Sequence, residues 1–83
     1  MGVMIAQTTN LVYQALWGLD AMQLEEHLGC GRNESRDYLS EPDLRILDRA
    51  EANVTEYIDD DNIKPIEAVR LANLRRKQPP QRR

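Results

Sequence analysis

Apolar residues recur along this chain at intervals of three and four. Nowhere do they alternate with polar ones over a useful length, so the pattern is that of helices rather than strands. Val12, Ala15 and Leu16 share one face, with Tyr13 and Trp17 beside them. Thr8 or Thr9 can cap this first helix, Gly18 stops it, and Val3 and Ile5 can extend it backwards. A second helix opens at Asp20, with Gln23 three residues on as the other half of a capping box. Ala21, Leu24 and Leu28 form its inner stripe, Glu25 and Glu26 look outward, and Gly29 ends it.

Residues 31–39 are polar and form a corner, with room for one helical turn around 34–38. Ser40-Glu41-Pro42-Asp43 is a strong start signal: a capping hydroxyl, a proline suited to the first turn, and acids that complement the helix dipole. From there Leu44, Leu47, Ala50, Val54, Tyr57 and Ile58 make a stripe that predicts the longest helix, running to residue 58. Asp59, Asp60 and Asp61 sit badly at a negative helix end, and Pro65 does not fit inside a helix, so a break is expected at 60–64. A last helix is expected over 65–76, with Ile66, Val69, Ala72 and Leu74 turned inward. Residues 77–83, KQPPQRR, hold no core former and read as disordered.

The expected fold is therefore all-α, a small bundle of four to five short helices. It makes a single helical domain over residues 1–76, followed by a disordered basic tail at 77–83. Tyr13, Leu16, Trp17, Leu24, Leu28, Leu44 and Leu47 are its core or interface residues. A chain this short buries only about 60% of the surface its unfolded form exposes, so dimerisation is expected to complete the core.

Charge changes this picture more than composition does. The net charge is −3, but residues 1–63 carry four arginines against thirteen acids, a net of −9. Residues 64–83 carry seven lysines or arginines against Glu67, a net of +6. An acidic body with a basic end is not the even basic face of a compact DNA-binding domain. A single cysteine forms no internal disulfide, and the first residues lack a basic stretch before an apolar one. Position 6 is Ala, where myristoylation needs Ser or Thr, and no run is long enough to cross a membrane. The expected setting is cytoplasmic, without a membrane partner. The sequons at Asn33 and Asn53 are read as coincidence.

Candidate chemistry is sparse. His27 and Cys30 stand three apart, a spacing that suits zinc. Structural zinc needs four ligands, however, and no second Cys or His exists. A Cys–His nucleophile lacks an orienting third group. A calcium loop beginning at Asp59 would place Lys64 where glycine is required and Arg70 where glutamate is required. Residues 24–39 invite comparison with helix-turn-helix, but Glu25 and Ser35 fall where small and apolar residues are wanted. Arg75, Arg76, Lys77, Arg82 and Arg83 are candidate phosphate contacts, without interleaved aromatics for base stacking.

TNLVYQALWG at 9–18, AMQLEEHLG at 21–29, RDYLS at 36–40 and Ala50-Glu51 on the next helix form a series. It resembles a helical segment of phage antirepressor-type and DNA-damage-inducible protein D-like sequences, over about residues 8–58. There the segment accompanies an N-terminal module of another kind, with Leu common at the place of Ser35 and His at that of Tyr38. The resemblance implies a phage or bacterial regulatory role and supplies no catalytic residues. It points to Arg36-Asp37 as a structural pair at a helix corner, Asp37 accepting backbone N–H groups and Arg36 reaching a carboxylate, with Glu51 the best placed. The expected function is a small non-enzymatic regulatory or protein-interaction module, a homodimer acting on an unknown protein partner, with no metal or cofactor. The alternative is nucleic-acid binding through the basic tail.

Overall fold

The computed structural model describes residues 6–32 and 34–81. It is all-α, with α1 at Ala6–Trp17, α2 at Ala21–Leu28, α3 at Ser35–Tyr38, α4 at Glu41–Asp61 and α5 at Pro65–Leu71. No strand occurs among the described residues. α4 is the spine: α1 and α5 pack on it and on each other, and α2 packs on α1 and carries α3.

The helix ends follow the local sequence closely at α2. Asp20 Oδ1 accepts the Gln23 N–H at 2.8 Å, and Gln23 Oε1 accepts the Asp20 N–H at 2.9 Å, a complete capping box. At the other end Gly29 takes φ 70°, its N–H reaches Glu26 O at 3.2 Å, and the Cys30 N–H reaches Glu25 O at 3.1 Å. This two-bond closure of Schellman type satisfies carbonyls the helix leaves over. Ser40 Oγ accepts from the Asp43 N–H at the start of α4, with Pro42 in the first turn.

Three elements differ from the sequence expectation. α1 begins at Ala6, and Thr8 is buried within it rather than capping it. The suggested extension through Val3 and Ile5 lies outside the described residues. α4 runs three residues past 58, to Asp61. Asn62 closes it in the left-handed region, which asparagine tolerates better than most residues. α5 stops at Leu71 instead of 76, where the chain reverses through Asn73 at φ 52°. The inner face of α5 is also different. Ala68 is fully buried, while Ile66 is 58% exposed. A helix lying close to both α1 and α4 favours the small side chain at its contact, which the hydrophobic pattern does not reveal.

The core is closed within one chain. Val12, Leu16, Trp17, Leu24, Leu28, Leu39, Leu47, Ala50, Val54 and Ala68 are buried, with Tyr13 at 4% exposure and Leu44 half-buried beside them. Tyr13 and Trp17 pack ring to ring, centroids 5.9 Å apart. The Trp17 indole N–H finds no partner among the described residues, so this ring serves through its volume. A second copy is therefore not needed to bury the aromatic pair.

Leu47, with no exposed surface, stands at the middle of this arrangement. Leu47→Ala should cost about 2–5 kcal/mol, a large share of the roughly 4–12 kcal/mol available to a chain of this size. Met22→Ala, at a site 71% exposed, should stay within about 0.5 kcal/mol. Urea titration of the two variants checks both.

Candidate functional site

The corner at α3 gathers the residues singled out in the sequence. α3 is a single turn, and Ser35 on it is buried and hydrogen-bonded to the Tyr13 side chain of α1. The next residue, Arg36, reaches across to α4. Its guanidinium donates to Glu51 Oε1 and, at 3.3 Å, to Asp48 Oδ1. Burial alone would lower the Arg36 pKa, but the hydrogen bond and charge of Glu51 outweigh it and the value rises above the ordinary one. The structure thus brings Arg36 and Glu51 together. It gives Asp37 a different place from the expected one. Asp37 is exposed, and the Gly31 N–H at this corner goes to Glu34 Oε1 at 2.7 Å.

Burial raises the Tyr13 pKa above 10.0, opposed first by the Arg36 charge and then by the Ser35 hydrogen bond. The hydroxyl stays protonated through the neutral range and serves as a fixed polar contact between α1 and α3.

An open groove of about 630 Å³ lies over this corner. Tyr13, Ser35 and Asn10 form part of its wall, where Asn10 Oδ1 accepts the Ala21 N–H at 3.0 Å and ties α1 to the start of α2. Arg32 and Arg36 bring positive charge to it, Asp20 and Glu25 bring negative charge, and Met22 adds an exposed thioether. Such a lining of both signs with an apolar contact suits a peptide-like surface better than a polyanion, which draws on one sign of charge.

A second feature was not foreseen. Beyond α5 the chain runs as an extended strap, residues 74–81, back to the far end of α1 and to α2. The Lys77 N–H donates to Leu16 O at 2.6 Å, the Arg76 guanidinium lies against Gly18, and Pro80 is buried. His27 Nε2 is 2.8 Å from Pro80 O. A carbonyl only accepts, so Nε2 carries the proton. The expectation of a disordered tail therefore differs from the structure over residues 77–81. Arg82 and Arg83 lie outside the described residues. The seat for the strap has a local cause. Within a continuing helix Leu16 O would accept the Asp20 N–H, but that N–H is taken by Gln23 in the capping box of α2. The carbonyl is left over, and the strap fills it. The legible signals were Gly18 and the capping box; the distant partners were not legible.

The remaining candidates fall as follows. Cys30 is half-buried, its Sγ 3.8 Å from Glu25 O, and His27 belongs to the strap contact. Among the described residues no group of three or more His, Cys, Asp or Glu is placed to hold a metal ion. Nor is any helix of those residues long and apolar enough to cross a membrane. α3, at four residues, is too short to lie along a DNA major groove as a recognition helix. Arg75, Arg76 and Lys77 are exposed along the strap. An acidic cleft of about 350 Å³ lies between the end of α4 and Ala72, lined by Glu56, Asp60 and Asp61. Comparison of the chain with protein-family models, with curated proteins and with solved structures finds no match.

Two outcomes follow from the corner. The Arg36 side chain is 46% exposed and that of Glu51 16%, so water screens the pair, and a coupling of about 0.5–1 kcal/mol is expected. Thermal melts of Arg36→Ala, Glu51→Ala and the double variant measure it; strictly additive losses mean the two side chains act independently. Because folding raises the Tyr13 pKa, the stability tied to its protonated form is complete below the ordinary value and is lost as pH climbs through the folded one. Melting temperature should therefore drop on the alkaline side, above about pH 10. Tyr13→Phe should shallow that drop in parallel scans.

Proposed function

We propose that this chain is a protein-interaction module of phage or bacterial regulatory type, working as a homodimer and without chemistry of its own. The observation that carries the reading is where large apolar side chains remain once the core is closed. Met22 is 71% exposed beside the groove of mixed charge, and Ile66 and Leu71, at 58% and 48%, lie on α5 next to the strap. Polar groups of the kinds that serve reactions are engaged in the fold: Arg36 with Glu51, Tyr13 with Ser35, His27 with Pro80. The groove over α1, α2 and α3 is the surface for the partner, and α5 is the surface for the second copy. The likeness of residues 8–58 to antirepressor-type segments supports a regulatory setting, in which a small helical module acts by occupying another protein.

A second reading has one observation in its favour. Arg75, Arg76 and Lys77 are exposed on a held strap rather than on a loose tail, Arg76 with its guanidinium against Gly18, so the strap carries positive charge at a fixed place on the surface. That charge would bind phosphates without regard to sequence.

Sedimentation of the full chain, alone and with a mixed-sequence DNA duplex, separates the readings. The interaction module should self-associate to the same extent across about 50–200 mM salt and bind the duplex weakly. Tight duplex binding that collapses over the same range would favour the basic strap. A chain that stays monomeric at every concentration would remove the homodimer.

A further inference from the structure

We infer that the C-terminal strap is exchanged between two copies of the chain, each copy's strap lying on the α1 end and His27 of the other. This rests on the homodimer reading and supplies its geometry. Three contacts that hold the strap reach residues far away in sequence: Lys77 to Leu16, Arg76 to Gly18, Pro80 to His27. The receiving atoms belong to the body and are identical in a second copy. A strap from that copy meets the same carbonyl, the same glycine and the same imidazole with no new chemistry, which is what makes exchange a low-cost route to a dimer.

The connection is built to allow it. α5 ends at Leu71, and the chain turns through Asn73 in the left-handed region before the first strap hydrogen bond at Lys77. A short hinge of this kind opens into an extended crossover, and short hinges favour exchange. Pro79 and Pro80 hold the end of the strap extended whether docked or free, so little order is lost when it changes seats. The contact does not depend on the charge of His27, since the Nε2–H donates to Pro80 O in the neutral ring and in the imidazolium alike.

A strap tethered to its own body competes at an effective concentration in the millimolar range, so exchange needs a gain at the new contact. One feature provides it. The two chains pass each other at their hinges, and Leu71, two residues before Asn73 and 48% exposed, meets its own copy there.

The test places a nitroxide on the strap of one copy and reads the body of another. Full-length Gln81→Cys in a Cys30→Ser background carries the label and is mixed with isotope-labelled, unaltered chain at concentrations where sedimentation shows dimer. Exchange predicts broadening of the His27, Leu28 and Leu16 amides of the unlabelled partner. In addition Lys77→Pro, which deletes the bonding N–H, and Leu71→Glu should each weaken dimerisation about tenfold or more while circular dichroism stays helical. A dimer whose Leu16 and His27 amides stay sharp overturns the exchange and leaves the homodimer standing. A monomer at all concentrations overturns both.

Discussion

The arrangement turns on the C-terminal end of α1. There Leu16 and Trp17 enter the core, while the Leu16 carbonyl, freed by the capping box of α2, accepts the N–H of Lys77. A helix end leaves such carbonyls without partners, and leaving one unpaired away from water is costly. Here a residue sixty-one positions later, Lys77, supplies the partner. Gly18 makes room for it: the Arg76 guanidinium lies where a Cβ would stand. One local decision, that Asp20 starts a new helix with Gln23, thus determines where the far end of the chain is fastened.

The same logic runs through the other polar contacts. Arg36 leaves the one-turn α3 to meet Glu51 on α4, and Tyr13 leaves α1 to meet Ser35 on α3. Each bond joins the corner that carries α3 to a longer helix. Because Arg36 remains half-exposed, its pair holds geometry more than it adds free energy. The apolar interior supplies the stability, and the polar corners choose which arrangement of short helices it stabilises. What remains for outside partners is the groove of mixed charge beside Met22 and the outer side of α5.

Much of this was legible in the chain itself. The all-α class, the limits of α2 and the start of α4 follow from caps and periodicity, which are local properties. The reach of Arg36 toward Glu51 was suggested by the family-like series rather than by spacing. The misreadings share one cause. Ile66 looked like core because it is the most apolar residue of α5, yet the side chain of α5 that is fully buried is the small Ala68, with Val69 half-buried beside it. Residues 77–81 looked loose because they lack apolar side chains, yet they are held by backbone bonds and a buried proline ring, neither of which leaves a periodic trace. Tertiary demand outweighed local composition in both places.

Backbone dynamics of the strap is the most direct measure of this account. Nitrogen-15 relaxation and amide exchange should show Lys77 protected, with order parameters through residues 74–81 near the value of about 0.85 found for rigid backbone. Values below about 0.6, with the Lys77 amide exchanging as fast as an unfolded chain, would mean that the end of α1 is open and that nothing fastens the C-terminal segment to it.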